Sequence, residues 1–230
     1  MLGLRRVFLS PAIYDKKIYK FIHLILDISP LDYNNIAGVY NNQGDYPKAM
    51  EWYHKALAIR EKVLGEEHPS TAITYDNIAV VYDKQGDYHK AMEWYHKALA
   101  ICEKVLGNDH PDTAITYNNI AVVYDNQGDY PKAMEWNYKA LAIREKVLGK
   151  EHPSTATTYN NIAGVYDGQG DYSKALEWYL LSYKILLNIL GTEHPKTKLV
   201  FENMEGAYDL SGNEMDFKEW LAEQLQKEET

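Results

Sequence analysis

Along residues 75 to 82 the apolar positions Tyr75, Ile78, Ala79 and Tyr82 fall at i, i+3, i+4 and i+7, the single stripe of an amphipathic α-helix. A second stripe follows at Ala91, Tyr95, Ala98, Cys102 and Val105, and Trp94 and Ile101 widen its apolar arc beyond what one packing partner needs. The polar punctuation between the stripes is equally regular. His68-Pro69 puts an extended residue before a proline that suits the first helical position. Gly86 supplies a left-handed stop, and Asp87 immediately offers an N-cap to the next helix. Gly107 closes the second stripe. The pattern therefore predicts an antiparallel helical hairpin, helix A from Pro69 and helix B from Asp87, with small Ala79 and Ala98 at the close approach and large Tyr75, Tyr82 and Tyr95 filling the space between.

The same hairpin returns every 42 positions. Tyr33-Asn34-Asn35-Ile36-Ala37, Tyr75-Asp76-Asn77-Ile78-Ala79, Tyr117-Asn118-Asn119-Ile120-Ala121 and Tyr159-Asn160-Asn161-Ile162-Ala163 are in phase, as are the glycine column 44, 86, 128, 170, 212 and the tryptophan column 52, 94, 136, 178, 220. A period in this range means one supersecondary unit copied and stacked, each burying its apolar face on its neighbours. The expected fold class is all-α, an α-solenoid. Its four units span 33–74, 75–116, 117–158 and 159–200, followed by a degenerate fifth over 201–230 that serves as a C-terminal cap. In that fifth unit Glu205 stands in the small-residue column and Phe217 in the alanine column, so its hairpin is not expected to close as the others do. Residues 1–30 keep no phase; Ile18, Phe21, Ile22 and Ile25 make them a candidate capping helix, with a truncated start as the alternative.

The order Tyr75, Ile78, Ala79, Tyr82, Gly86, Ala91, Tyr95, Ala98 resembles the tetratricopeptide repeat signature, and the longer helix B with its His-Pro turn is similar to the kinesin light chain type of that repeat. The resemblance implies a superhelix whose A helices line a concave groove that binds an extended peptide. Its lining would come from one column of Asn34, Asp76, Asn118 and Asn160 and a second of Asn35, Asn77, Asn119 and Asn161. Further along come Val80 and Val122, then Asn41, Asp83, Asp125 and Asp167, with Lys84 and Asn126 beside them. Amides carry both a donor and an acceptor, so a ladder of them can hold the backbone of an extended segment without reading its side chains. The rival role for the same amides is to bond to the neighbouring helix and fix the superhelix.

Charge narrows the partner. With 24 Lys and Arg against 33 Asp and Glu, the net charge is −9, and there is no basic cluster of the kind that nucleic-acid phosphates require. An acidic-to-neutral groove without paired arginines favours a basic or neutral segment over an acidic peptide or a free carboxylate. Phe21–Ile28 holds His23 and Asp27 and is too short to span a bilayer, and Arg5-Arg6 is followed by Pro11, Asp15 and Lys16 where an export signal would be apolar. No membrane partner is expected. A single cysteine, Cys102, fits a reducing compartment, and the cytoplasm is the expected location.

Chemistry is expected to be absent. His68, His110, His152 and His194 sit one unit apart, too distant to share a metal ion, and belong to turns. No phosphate-binding glycine loop and no nucleophile beside a base occurs, so neither cofactor nor catalysis is anticipated. The expectation is a protein-interaction scaffold. Weak self-association through the tryptophan column, or a regulatory fragment of a larger protein, are the alternatives.

Overall fold

The computed structural model describes residues 30–226, so the candidate capping segment at the N-terminus lies outside the described residues. Among the described residues there are ten α-helices: α1 (Pro30–Asn42), α2 (Tyr46–Leu64), α3 (Pro69–Lys84), α4 (Tyr88–Ile101), α5 (Pro111–Asn126), α6 (Tyr130–Val147), α7 (Pro153–Gly168), α8 (Tyr172–Leu190), α9 (Pro195–Leu210) and α10 (Phe217–Gln226). Odd-numbered helices are the A helices and even-numbered ones the B helices. The chain is an α-solenoid of stacked helical hairpins.

Each hairpin is punctuated as its residues dictate. His68, His110, His152 and His194 are extended, and each turns its imidazole Nδ1 back to accept the N–H two residues on, at 3.0–3.1 Å. The proline between contributes no N–H at a position that has no intrahelical partner anyway. At the inner turn Gly86 adopts φ +77°, and the N–H of Asp87 donates to the carbonyl of Tyr82 at 2.9 Å, closing α3. Asp87 then caps α4 by accepting the N–H of Lys90 at 3.2 Å.

The core is repetitive because the contacts are. Alanines 79, 91 and 98 are fully buried at the close approach of α3 and α4, and Tyr95 is 1% exposed between them. Tyr82 is only half-buried, with the Lys90 ammonium 5.3 Å above its ring, so it fills less of the interior than its spacing implies. Trp52, Trp94, Trp136 and Trp178 lie 5.3–5.5 Å from Tyr33, Tyr75, Tyr117 and Tyr159 of their own hairpins. Lysines 55, 97 and 139 cover three of these indoles at 4.2–4.4 Å. The column thus closes each hairpin, and Trp94 also reaches back to His54 of the preceding unit.

Two positions depart from the periodic reading. Val105 is 48% exposed, and Leu106 packs in its place. The last turn of this B helix, Cys102–Leu106, is a π-turn closed by the Gly107 N–H onto the Cys102 carbonyl at 3.1 Å, but Val63, Val147 and Ile189 are 42–48% exposed at the same position of α-helical turns, so the exposure belongs to the column and not to the wider turn. In the fifth unit helix B begins only at Phe217, because Asp216 accepts the N–H groups of Lys218 and Glu219. Phe217 then needs no alanine-sized gap. It is buried among Phe201, Tyr208 and Trp220 and packs the short α10 onto α9.

Units are joined by packing and by polar ties. The hydroxyls of Tyr75, Tyr117 and Tyr159 donate to Glu61, Glu103 and Glu145 on the preceding B helix at 2.7–2.8 Å. Lys104 pairs with Glu67, and Lys146 with Asp109, each at 2.6 Å across a joint. Successive A helices pack side by side (α1 on α3, α3 on α5, α5 on α7, α7 on α9), closer than any two B helices. The A layer is therefore the inner side of the stack.

Candidate functional site

The two amide columns of the A helices, adjacent in sequence, meet different surroundings. A step of one residue turns about 100° around a helix, and here that step crosses from the joint to the open face. In the first column Asn118 is 4% exposed; its Oδ1 accepts from Thr158 of α7 at 2.9 Å, and its Nδ2 donates to Asn137 of α6 at 2.8 Å. Thr158 in turn accepts from Arg144 at 2.7 Å, which also donates to the Ser154 carbonyl. Asp76 accepts from Thr116 at 2.9 Å, and Asn160 accepts from Asn203 at 3.1 Å. Asp76, Asn118 and Asn160 thus tie one A helix to the next, whereas Asn34 is buried with its Oδ1 unpartnered.

The second column faces away from the joints. Asn35 is exposed and Asn77, Asn119 and Asn161 are half-buried, and none of the four makes a side-chain hydrogen bond within the described residues. Beside them Val80 and Val122 are half-buried. Asp83, Asp125 and Asp167 continue the same inner layer, half-buried, and burial holds all three carboxyls above the ordinary carboxylate range. Asp83 accepts from Asn126 at 3.1 Å, and the exposed Lys84 adds a nearby positive charge. Asn41, at the head of that column, is buried.

Asp76 is the one acid in the first column. Its Oδ1 is buried without a hydrogen-bond partner, and burial pushes the carboxyl up to about 7, against the bond from Thr116 and with Asp112 adding to the rise. Across the same joint Cys102 stands where Arg60 and Arg144 stand in the units on either side, so the guanidinium that would face this position is missing. Cys102 is buried and its thiol is pushed up to about 11 by that burial, the state of an inert packing residue.

Two residues that shape this face escape the columns of the signature. Asn203 continues the second amide column into the fifth unit, and its spacing from Asn161 is the clue to it. Asn137 interrupts the tyrosine column Tyr53, Tyr95, Tyr179, a break visible once the four units are laid in phase. Among the described residues, no group of three or more His, Cys, Asp or Glu could hold a metal ion, and no helix is long and apolar enough to cross a membrane.

A stack of paired helices with its A layer inside and a repeated tyrosine, alanine and glycine code is the architecture of a helical-repeat protein. Residues 31–95, 84–146 and 126–188 each match the tetratricopeptide repeat family, and the chain belongs to it. Among solved structures it is similar to a Podosopora anserina protein described as a kinesin light chain with nearly identical TPR-like repeats, at 28% identity over 85% of this chain and 92% of that one, with a TM-score of 0.63. A point-substituted form of that protein gives a TM-score of 0.64 at the same identity and coverage. BtubC (BKLC) from P. vanneervenii shares the fold at 23% identity over 92% of this chain and 85% of that one, with a TM-score of 0.67. The repeats are thus kinesin light chain-like. Among curated proteins none matches the chain.

Proposed function

We propose that the chain is a non-catalytic scaffold that holds an extended, basic or neutral peptide segment along its A-helix face. The observation that carries the reading is the in-phase set Asn77, Asn119 and Asn161, each without an internal partner, flanked by the carboxylates of Asp83, Asp125 and Asp167. Amides left unpaired on a curved inner layer offer donors and acceptors at one-unit spacing to a peptide backbone, and the acids beside them favour positive over negative side chains. The first column contributes differently, by setting the angle between units. The proposal includes a cytoplasmic location, supported by the single cysteine. Self-association through the tryptophans draws less support, since four of those rings pack on tyrosines of their own hairpins and three are covered by lysines.

Calorimetric titration of the intact chain with positional-scanning peptide libraries tests this. Basic or neutral peptides should bind, and replacing Asn77, Asn119 and Asn161 together by alanine should weaken binding about tenfold or more without lowering the melting temperature, because none of the three holds a joint. A preference for acidic peptides, or unchanged affinity in the triple variant, overturns it.

A further inference from the structure

The units are close copies, so a place where several columns change at once stands out. Three such changes meet between α5 and α7. The tyrosine column becomes Asn137, the valine of Val80 and Val122 becomes Gly164, as it is Gly38 in the first unit, and the side chain beside the aspartate, Lys84 or Asn126 in the two preceding units, becomes Gly168. All three remove bulk. Tyr95 and Tyr179 fill the space behind their A helices, whereas Asn137, itself 1% exposed, leaves an open crevice of about 120 Å³ on the inner layer. Its walls are Val122, Asp125, Asn160, Asn161, Tyr179 and Asn203, with Asn137 behind them. Among the described residues no lysine or arginine lines it.

The polar groups of the crevice are arranged around a missing donor. One unit earlier, Asn126 donates to Asp83. The equivalent of Asn126 here is Gly168, and the place its Cβ would occupy is taken by the Tyr130 ring, 2.9 Å from Cε1, so no side chain from this position can reach Asp125. The Asp125 carboxyl consequently makes no hydrogen bond within the described residues, while its backbone carbonyl accepts from Gly128 at 2.8 Å. Burial and the neighbouring charge of Asp167 hold its carboxyl above the usual range, the condition an incoming cation would relieve. The amide oxygens of Asn161 and Asn203 add acceptors to the lining, while Asn160 Oδ1 already accepts from Asn203.

We infer that this crevice is an anchor site for the guanidinium of an arginine side chain carried by the bound segment. The opening would hold about four water molecules, room for a planar guanidinium. Its five N–H donors match a carboxylate flanked by several amide oxygens better than the compact ammonium of lysine does. The inference rests on the peptide-binding reading above and sharpens it from a basic preference to one arginine at one unit.

The test uses the intact chain and two probes, acetyl-arginine amide and a capped hexapeptide with one central arginine, each compared with its citrulline and lysine counterparts by NMR titration. Shifts confined to the side-chain amides of Asn160, Asn161 and Asn203, with arginine preferred about tenfold or more, are expected. Asn137→Tyr, which restores the residue of the other units, and Asp125→Asn should each abolish that preference. The lysine and citrulline hexapeptides should bind Asn137→Tyr as they bind the unaltered chain. If Asn137→Tyr fails to fold, Asp125→Asn carries the comparison. Equal binding of arginine, lysine and citrulline probes, or a preference that survives both variants, overturns the anchor while leaving the groove reading intact. Arginine amide binding with no gain for the hexapeptide would instead uphold the anchor and sink the groove.

Discussion

Tyr95 and Tyr82 have the same side chain in the same hairpin, yet their surroundings assign them different weights. Tyr95 is 1% exposed between two helices that touch through alanine, so Tyr95→Ala leaves a cavity that nothing nearby can collapse into and should cost about 3–5 kcal/mol. Tyr82 is half-buried and its ring already meets solvent under Lys90, so Tyr82→Ala should cost about 1–2 kcal/mol. Urea unfolding of the two variants side by side checks the order. Asp76 is the other residue whose position sets its energetics. Its folded carboxyl is raised to about 7 while the unfolded one titrates near 3.8, so the folded state binds the extra proton. Stability should therefore fall as pH rises from about 4 to about 7 and level off above that. Asp76→Asn, the residue found at 34, 118 and 160, should be the more stable form at pH 8, by about 2 kcal/mol, and the advantage should vanish near pH 4. Urea midpoints across that range decide it, and a constant difference would show that the carboxyl is not titrating there.

Between elements, the joint of the second and third units is the one that buries a carboxyl without a cation, with Asp76 on α3 and Cys102 just past the end of α4. In the joints on either side Arg60 and Arg144 reach across to Thr74 and Thr158 and to the carbonyls of Ser70 and Ser154, at 2.6–2.7 Å. Burial lowers the Arg144 guanidinium to about 10, since its neighbours there are neutral. At Cys102 the same crossing has no cation, although Asp76 supplies the charge that one would pair with. Cys102→Arg should restore the ties to Thr116 and the Asp112 carbonyl and place the guanidinium near Asp76. The expected gain is about 1–2 kcal/mol in urea unfolding at pH 8, together with a flatter dependence of stability on pH. At this scale the sequence was most legible where a residue acts alone on its own backbone: prolines, glycines and capping aspartates stand where the helices begin and end. It was least legible where the outcome depends on how two helices cross. Asn118 and Asn119 are the same residue side by side, and only the packing of α5 on α7 sends the first into the joint and leaves the second on the open A-helix face. Val105 falls on the apolar stripe by spacing yet is exposed, as Val63, Val147 and Ile189 are at the same position.

For the whole molecule, what matters is that among the described residues the helices of each unit pack on those of its neighbours, so order is not shared across the stack as it is in a single closed core. The period alone made that organisation readable. What the period could not show was how the last unit would use residues that break it, and there Phe217 decides, because a later helix start turns an apparent misfit into the centre of an aromatic cluster with Phe201, Tyr208 and Trp220. Contacts of this kind hold α10 to α9 and do nothing for α3 through α6. Phe217→Ala should therefore remove amide hydrogen-exchange protection from α9 and α10 while the amides of α3 to α6 exchange as before. In a globular domain of this length a core truncation lowers protection everywhere, since the most protected amides exchange through global unfolding. Equal loss of protection in α3 and α9 would mean that the stack unfolds as one body. Loss confined to α9 and α10 would mean that each unit depends on its neighbour alone, and that the inner face can be altered one unit at a time, as the changes at Asn137, Gly164 and Gly168 have already done.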